Sequence, residues 1–360
     1  MAFASRRIVQ RAAAAVANAR GAATAAANPE AEVFASAAEH VAYLAERAAL
    51  PDGFKVSTAS FPFNPVEMPG KKTRMSLTGI VLDEPTDSFA GVFTSNAFPG
   101  HPVKVGRRRL AEDVMGAIVI NNKISNVGAP GGEADAEVVC EEVSRVLGLE
   151  GAGSVVPCST GIIGWRLPVQ DMVEAVPALV DDLQGDSALP LAMGIMTTDM
   201  FPKLRSVTLP SAAPGAPPVR VVGVAKGAGM VEPNLATMLV YILTDADVSR
   251  EHLREALPRA ANHTFNCLSI DGDQSTSDTL LAAASRRRQL PGSNDEERHA
   301  AFDAALLDVC RTLAMDVVRN GEGVRHVMRV TVTGSPSWVR PLGAPAPRAH
   351  PSPRRPPAWS

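Results

Sequence analysis

The chain has 360 residues and a mass of 37.7 kDa, which is enough for one large domain or two ordinary ones. Hydrophobic residues make up 46% and charged residues 20%, so the composition predicts a folded core and excludes a disordered chain. The net charge of −3 and the aromatic content of 4% argue against a nucleic-acid-binding surface or a base-stacking platform. The two ends differ from the rest, because residues 1–29 and 334–360 contain arginine but no acidic residue.

The N-terminal segment, residues 1–29, is rich in alanine and carries Arg6, Arg7, Arg11 and Arg20. A basic, acid-poor and helix-capable segment of this length is typical of an organellar transit peptide. We therefore predict import into the mitochondrial matrix, with a plastid as the alternative destination. A disordered N-terminus without an address is the other interpretation.

The C-terminal segment, Gly334–Ser360, contains eight prolines. Proline lacks the amide proton and is excluded from helix interiors and central strands, so this segment is predicted to be disordered or polyproline-like. It follows an alternating run, Val324–Val332, that predicts a β-strand.

The four cysteines are not arranged for zinc, since no C-x-x-C pair and no histidine at zinc-finger spacing is present. We expect reduced thiols and no metal site. The longest apolar runs, such as Ala236–Leu243, are far shorter than the ~20 residues of a membrane-spanning helix.

The middle of the chain alternates between helical and extended patterns, without an internal repeat, a Walker loop or a dinucleotide fingerprint. This alternation predicts a layered α/β or α+β protein. Apolar spacing predicts helices, in chain order, over Ala35–Ala49, Ala136–Leu147, Val169–Leu183, Ser249–Ala261, Thr276–Arg288 and Glu296–Arg319. Short β-rich or apolar runs predict strands over Ala90–Thr94, Ala117–Ile120, Ser154–Cys158, Leu189–Met196, Val219–Ala225 and Ala236–Leu243, with Thr264–Ile270 extended.

The stretch VGVAKGAGMVEPNLATML, residues 222–239, combines features that favour a catalytic site. A strand ends at Lys226 in a glycine-rich turn, Gly227–Gly229, where the backbone can approach a ligand closely. If the peptide bond between Ala236 and Thr237 is cut, the new α-amine can act as the base for the threonine hydroxyl, which is the N-terminal form of nucleophilic catalysis. An ordinary Ala-Thr pair in a strand is the alternative interpretation.

KGAGMVEPNLATML resembles the processing and nucleophile motif of the ornithine acetyltransferase family, also called the arginine-biosynthesis bifunctional ArgJ family. Five further segments resemble motifs of that family in the same order: Val92–Val103 (VFTSNAFPGHPV), Cys158–Gly164 (CSTGIIG), Gly194–Lys203 (GIMTTDMFPK), Asn266–Thr279 (NCLSIDGDQSTSDT) and Asn320–Val332 (NGEGVRHVMRVTV). The resemblance implies a layered α/β fold of the DmpA/ArgJ type. It also implies a division of the catalytic part into an alpha chain, residues 30–236, and the start of a beta chain, residues 237–333.

The resemblance further implies self-cleavage between Ala236 and Thr237. Thr237 would then accept the acetyl group of N2-acetyl-L-ornithine and pass it to L-glutamate in a ping-pong reaction. Matching positions give an oxyanion pair and a set of substrate contacts: Thr160 and Gly161 for the first, and Thr197, Thr198, Lys226, Thr237 and Glu322 for the second. No cofactor is implied, with acetyl-CoA left open as a second acetyl donor, and the two chains are expected to assemble as a heterotetramer. A helix cap at Thr160 and solvated turns at Lys226 and Glu322 are the alternative interpretations.

Two departures from the family pattern bear on this interpretation. Asn121–Gly128 (NNKISNVG) stands where the family carries an NSGNAN-type segment. The resemblance also stops near Thr333, so the family's C-terminal portion, which returns an Asn and a Ser or Thr to the active site, is expected to be missing.

Three functions therefore stay open from the sequence. The first is the acetyltransferase of arginine biosynthesis. The second is an N-terminal-nucleophile amidase or aminopeptidase relative, in which water rather than glutamate takes the acyl group. The third is a truncated and inactive ArgJ-like protein, with or without self-cleavage.

Overall fold

The computed structural model describes residues 34–232 and 238–330, so the predicted transit peptide, the proline-rich tail and the Ala236–Thr237 junction lie outside the described residues. The chain divides into two units, Met1–Arg325 and His326–Ser360, and the helices and strands described below belong to the first. Its α-helices are α1 Ala37–Ala45, α2 His101–Arg109, α3 Gly132–Leu147, α4 Val169–Asp181, α5 Leu189–Gly194, α6 Arg250–Asn262 and α7 Asp295–Arg319. Its strands are β1 Phe54–Phe63, β2 Thr73–Thr86, β3 Phe89–Phe93, β4 Met115–Asn121, β5 Val155–Ser159, β6 Lys203–Leu209, β7 Val219–Lys226, β8 Leu239–Ala246 and β9 Thr279–Arg288.

The described strands form two sheets. The first has the order β1-β2-β4-β5, with β4 and β5 parallel and the other pairs antiparallel. The second has the order β3-β9-β8-β7-β6, and only β8 and β9 are parallel. Parallel neighbours end at the same sheet edge, so the residues that follow β4 and β5 are brought together.

The two sheets pack on each other through one apolar cluster and carry helices on their outer faces, giving four layers in the order helix, sheet, sheet, helix. Residues of both sheets share the central cluster, among them Ile80 and Ile118 of the first and Tyr241 and Leu243 of the second. A second cluster joins the outer face of the first sheet to α3 and α4, and a third joins the outer face of the second sheet to α6 and α7. The layered α/β class expected from the sequence is confirmed.

The burial of strand β8 on both faces explains why its sequence is almost entirely apolar. Every residue from Leu239 to Ala246 is buried. Val240 and Ile242 face the α6/α7 layer, whereas Tyr241 and Leu243 face the other sheet. A central strand between two covered faces has no solvent side, so the usual alternation of polar and apolar residues disappears.

Most of the predicted elements are present, with ends shifted by a few residues, and the long helix expected over Glu296–Arg319 is α7. Several of these predictions were wrong, including that of Thr264–Ile270, which is not extended throughout but contains a 3-10 helical turn at Phe265–Cys267. Thr276–Arg288, predicted as a helix, contains β9, because pairing in the sheet and burial of Thr279–Ala284 override the helix preference of its alanines. Leu189–Met196, predicted as a strand, contains the short helix α5, and Pro190 lies in its first turn, where proline is tolerated.

The strand predicted over Val324–Val332 is also not found in the part of it that is described, since residues 324–330 are neither helical nor extended in a sheet. Strands β1, β2 and β6 and helix α2 are not among the predicted elements. Within the described ranges, none of the helices combines the length and apolar character needed to cross a bilayer.

Candidate active site

The ends of two strands from different sheets meet at a lysine and a threonine. Lys226 is the last residue of β7, and Thr160 follows the last residue of β5. The Lys226 ammonium donates a hydrogen bond of 3.0 Å to the Thr160 hydroxyl oxygen. Both residues are nearly inaccessible, with exposures of 3% and 4%. The structure therefore brings together two of the site residues predicted from the sequence.

The electrostatic surroundings of Lys226 are unusual for a buried cation. Burial lowers the pKa of its ammonium, while Asp199, Asp278 and Glu322 act in the opposite direction. It forms no ion pair with a carboxylate among the described residues. A buried ammonium without a carboxylate partner is costly, so the site is electrostatically prepared for an anionic group.

Gly161 occupies a conformation and a space that only glycine allows. Its φ angle is +132°, and a Cβ atom at this position would lie 2.2 Å from the backbone carbonyl carbon of Lys123. The amide of Ile162 donates to the Lys123 carbonyl, and the amide of Ser125 donates to the Ile162 carbonyl. The loop after β5 is thus paired along the segment after β4.

This pairing gives the NNKISNVG segment a structural role. The Thr160 amide donates to the carbonyl of Asn121 at 3.0 Å, and the Ser159 hydroxyl donates to the Asn121 side-chain oxygen at 2.6 Å. Asn121–Gly128 therefore supports the backbone of Thr160 and Gly161. Thr160 does not cap a helix, because the next described α-helix begins at Val169.

Asp199 joins the predicted substrate loop to the end of β7. Its side chain is completely buried and accepts hydrogen bonds from the amides of Thr197 and Gly227. It also forms an ion pair with Lys203 at 2.5 Å. Thr197 is half-buried and Thr198 is exposed at the same loop. Asp199 belongs to the GIMTTDMFPK segment, but its function as the residue that anchors this loop was not predicted.

Glu322 also lies beside the glycine-rich turn. Its amide donates to the Ala228 carbonyl at 2.6 Å, and a Cβ atom on Gly229 would lie 2.9 Å from its carboxyl carbon. Glycine at position 229 thus leaves room for the Glu322 carboxylate. Because this carboxylate also acts on the Lys226 ammonium, Glu322 belongs to the same group of residues.

The predicted nucleophile, Thr237, is not described, but the residue that follows it in the chain is. Ala236 and Thr237 lie outside the described residues. Met238 is buried, and its amide donates to a carboxylate oxygen of Asp278 at 2.6 Å. Leu239, the next residue, pairs with Lys226 across the β7–β8 ladder. The strand that Thr237 precedes therefore begins at the Lys226 site.

No group of three or more His, Cys, Asp or Glu side chains in residues 34–232 and 238–330 is arranged to hold a metal ion. The chemistry that these residues can carry is that of a buried hydroxyl and a buried ammonium, on which the carboxyl groups of Asp199 and Asp278 act electrostatically.

Comparison with known proteins identifies the family. The model of the ArgJ family matches residues 64–340. The arginine biosynthesis bifunctional protein ArgJ of Pseudomonas syringae pv. tomato is 40% identical over 253 residues, which cover 69% of this chain and 60% of that protein. The mitochondrial ArgJ of Penicillium rubens is 35% identical over 309 residues, which cover 82% of this chain and 62% of that protein.

A crystal structure of ornithine acetyltransferase from Mycobacterium tuberculosis, in complex with ornithine, is 30% identical with a TM-score of 0.43. The match covers 52% of this chain and 95% of that one. Because the family model matches residues 64–340, which is more than half of the chain, the chain belongs to the ArgJ family. It spans about 60% of the length of the two curated relatives described above.

Proposed function

We propose that this protein is an acetyltransferase of arginine biosynthesis that moves the acetyl group of N2-acetyl-L-ornithine to L-glutamate. The observation that carries the proposal is the buried hydrogen bond between the Lys226 ammonium and the Thr160 hydroxyl. Both residues belong to segments that resemble motifs of the ArgJ family, whose model matches this part of the chain. The names of the relatives and of the solved ornithine acetyltransferase support the substrate class.

The first step is self-cleavage. The Thr237 hydroxyl attacks the carbonyl carbon of Ala236, the C–N bond to Thr237 breaks, and the hydroxyl proton passes to the released nitrogen. Water then hydrolyses the ester that joins the two segments. The products are a carboxylate at Ala236, a free hydroxyl and a free amine at Thr237.

The second step is acetyl transfer in two halves. The Thr237 hydroxyl attacks the acetyl carbonyl of N2-acetyl-L-ornithine, its α-amine takes the hydroxyl proton, and this proton passes to the departing ornithine amine. The amine of glutamate then attacks the acetyl ester, which releases N-acetylglutamate and restores the hydroxyl. Each half forms one C–O or C–N bond and breaks another, so no redox cofactor is needed.

Each of the other predicted site residues has a role that matches its chemistry. The Thr160 hydroxyl and the Gly161 amide stabilise the oxyanion that forms at the carbonyl under attack. The Lys226 ammonium attracts a substrate carboxylate, because it is buried and forms no ion pair among the described residues. Thr197, Thr198 and Glu322 contact the rest of the substrate, with Glu322 facing a substrate amine.

We further propose a mitochondrial matrix location, with a plastid as the alternative, and no cofactor, with acetyl-CoA as a candidate second acetyl donor. The acid-poor, arginine-bearing residues 1–29 and the mitochondrial name of the Penicillium relative support this location. We expect the alpha and beta chains from one precursor to form a heterotetramer.

The decisive experiment combines a denaturing gel, N-terminal sequencing and an assay. The purified chain should separate into two polypeptides, of which the smaller begins at Thr237, and should convert N-acetylornithine and glutamate to ornithine and N-acetylglutamate. Thr237→Ala should stay uncleaved and inactive. Acetate release without N-acetylglutamate would favour the amidase alternative, and cleavage without any turnover would favour the inactive one.

A further inference from the structure

Asn320 is a buried polar residue to which the proposed reaction gives no role. It follows the last residue of α7 and is 1% exposed. Its side-chain oxygen, Oδ1, accepts the Lys203 ammonium at 2.7 Å and the Met200 amide at 3.2 Å. Its side-chain nitrogen, Nδ2, is buried and has no hydrogen-bond partner within residues 34–232 and 238–330. Within these ranges, the structure uses only the acceptor end of this side-chain amide.

The Lys203 ammonium joins three segments of the candidate site. It donates to Asn320 and, at 2.5 Å, to the Asp199 carboxylate. The same Asp199 oxygen, Oδ1, accepts the amide of Gly227, the residue after Lys226. A hydrogen-bonded chain thus runs from the glycine-rich turn, through the predicted substrate loop, to the end of α7. Its charged members are completely buried, so water cannot readily replace a partner that is lost.

A second contact holds the same end of α7. Arg205 of β6 forms a bidentate ion pair with Asp316, at 2.6 and 2.8 Å, one helical turn before Asn320. Bidentate guanidinium–carboxylate pairs fix orientation as well as distance. The last turn of α7 is therefore bound to the start of β6 at Asp316 and at Asn320, and Asn320 also binds the predicted substrate loop through Met200.

Glu322 depends on this anchor because it lies only two residues after Asn320. The two Cα atoms can be no more than about 7 Å apart. The Glu322 amide donates to the Ala228 carbonyl at 2.6 Å, which fixes its backbone on the other side. The Glu322 side chain is exposed, and a long exposed carboxylate has several accessible rotamers. The place that its carboxylate can reach is therefore determined by where its backbone is held.

We infer that Asn320 is a positioning residue that makes the site selective for a substrate amine. Its Oδ1 atom fixes the end of α7 against the predicted substrate loop and so orients the Glu322 carboxylate. The inference rests on the proposed function, in which Glu322 faces an amine, and in N2-acetyl-L-ornithine the free amine is that of the side chain. An amide oxygen supplies the acceptor without a second negative charge beside the pair of Asp199 and Lys203.

The test compares two acetyl donors that differ only in this amine. The self-cleaved full-length protein is assayed with glutamate and either N2-acetyl-L-ornithine or N2-acetyl-L-norvaline, which lacks the side-chain amine. In the wild type we expect kcat/KM to favour the ornithine derivative by about tenfold or more, the effect of one hydrogen bond to a charged group. Asn320→Ala should lose most of this preference through a raised KM for the ornithine derivative, whereas kcat/KM for the norvaline derivative should stay close to its wild-type value.

Two further variants separate positioning from a general loss of stability. Asn320→Asp keeps an acceptor oxygen and removes the unpartnered nitrogen, so it should retain most of the preference. Asn294→Ala removes the cap at the other end of α7, where the Asn294 side-chain oxygen accepts the Glu297 amide at 2.9 Å. This variant should unfold at a lower urea concentration but keep the wild-type preference. In a Glu322→Gln background, Asn320→Ala should have no further effect on the preference, because it acts through the carboxylate.

Each outcome decides the inference separately from the proposed function. An unchanged preference in folded Asn320→Ala would overturn it, and so would an equal loss in Asn294→Ala. Loss of the preference in Asn320→Asp would indicate a direct contact through Nδ2 and would also overturn it. If Asn320→Ala does not fold, Asn320→Ser, which keeps a shorter acceptor, is judged by the same criterion. A wild type that transfers no acetyl group, or that does not prefer the amine, would instead refute the proposed function or its assignment of Glu322.

Discussion

Asp199 and Lys203 form an ion pair of 2.5 Å in which both side chains are completely withdrawn from solvent. The pair lies behind the candidate active site, because Asp199 also accepts the Gly227 amide and the Lys203 ammonium also donates to Asn320. Burial raises the pKa of Asp199, but the attraction of Lys203 and Lys226 outweighs it and the pKa is lowered overall. The carboxylate is thus held in its charged form by two lysines.

Breaking this pair on one side should be strongly destabilising. Asp199→Asn leaves the Lys203 charge buried without its partner, which should lower the free energy of unfolding by about 3 to 5 kcal/mol. The double variant Asp199→Asn with Lys203→Met removes the orphaned charge and should recover part of that loss. Urea denaturation of both proteins tests this. Equal stability of the single and double variants would show that the ion pair is not the source of the effect.

Replacement of Lys226 by methionine should separate stability from activity. Within residues 34–232 and 238–330 this buried lysine forms no ion pair, although Asp199, Asp278 and Glu322 act on it at longer range, and an apolar side chain of similar length avoids its desolvation. We expect Lys226→Met to be at least as stable as the wild type in urea, yet to show a raised KM for its carboxylate substrates. A loss of more than about 2 kcal/mol of stability would instead identify Lys226 as a structural residue.

Loss of the Thr160 hydroxyl should slow catalysis without unfolding the protein. Thr160→Val keeps the shape of the side chain but removes the hydroxyl, and loss of one oxyanion donor typically lowers kcat by about 10² to 10³. Thr160→Ser should retain most of the rate. Thr208→Val, a half-buried threonine on β6, is the matched control and should keep wild-type kinetics. An unchanged kcat in Thr160→Val would exclude an oxyanion role.

Substitutions of two glycines in one loop should distinguish the effect of a steric clash from that of backbone strain. Gly161 and Gly164 both have positive φ angles, +132° and +88°, but a Cβ atom meets the Lys123 backbone only at position 161. Gly164→Ala should lower stability by about 1 to 2 kcal/mol, through its left-handed conformation alone. Gly161→Ala should lower it further and abolish acetyl transfer. Thermal unfolding and activity assays compare them, and similar losses in both variants would contradict a close approach at Gly161.

Asp245 should make the protein less stable as the pH rises toward neutrality. Its carboxylate accepts the amides of Asp52 and Arg220, and burial raises its pKa from 3.8 to about 6. The folded state therefore binds the proton more tightly than the unfolded state between these values. Stability from this group falls across pH 4 to 6, by no more than about 3 kcal/mol, and is constant above.

The measurement is the free energy of unfolding as a function of pH. Asp245→Asn cannot titrate, so its curve should be flatter than that of the wild type between pH 4 and 6, whatever its absolute stability. Asp113→Asn removes an exposed carboxyl and should follow the wild-type slope. Parallel curves for Asp245→Asn and wild type would show that the buried carboxyl has an ordinary pKa.

The sequence by itself determined the features that depend on local pattern. Helical spacing over Glu296–Arg319 predicted α7 within a residue, because a long amphipathic pattern has one good structural solution. The motifs around Thr160, Lys226 and Thr237 indicated the family, and the family match confirmed it. These signals are carried by residues that are close together in the chain.

Only the tertiary structure decided the features that join distant segments. The alanine-rich run after Asp278 became β9 rather than a helix, because pairing with β8 and burial on both faces outweigh a local preference of a few tenths of a kcal/mol per residue. The contact between Lys226 and Thr160 joins residues 66 positions apart on different sheets, and the contact between Asp278 and Met238 spans 40. No local pattern encodes such pairs, since they exist only where two sheets place their strand ends at one edge.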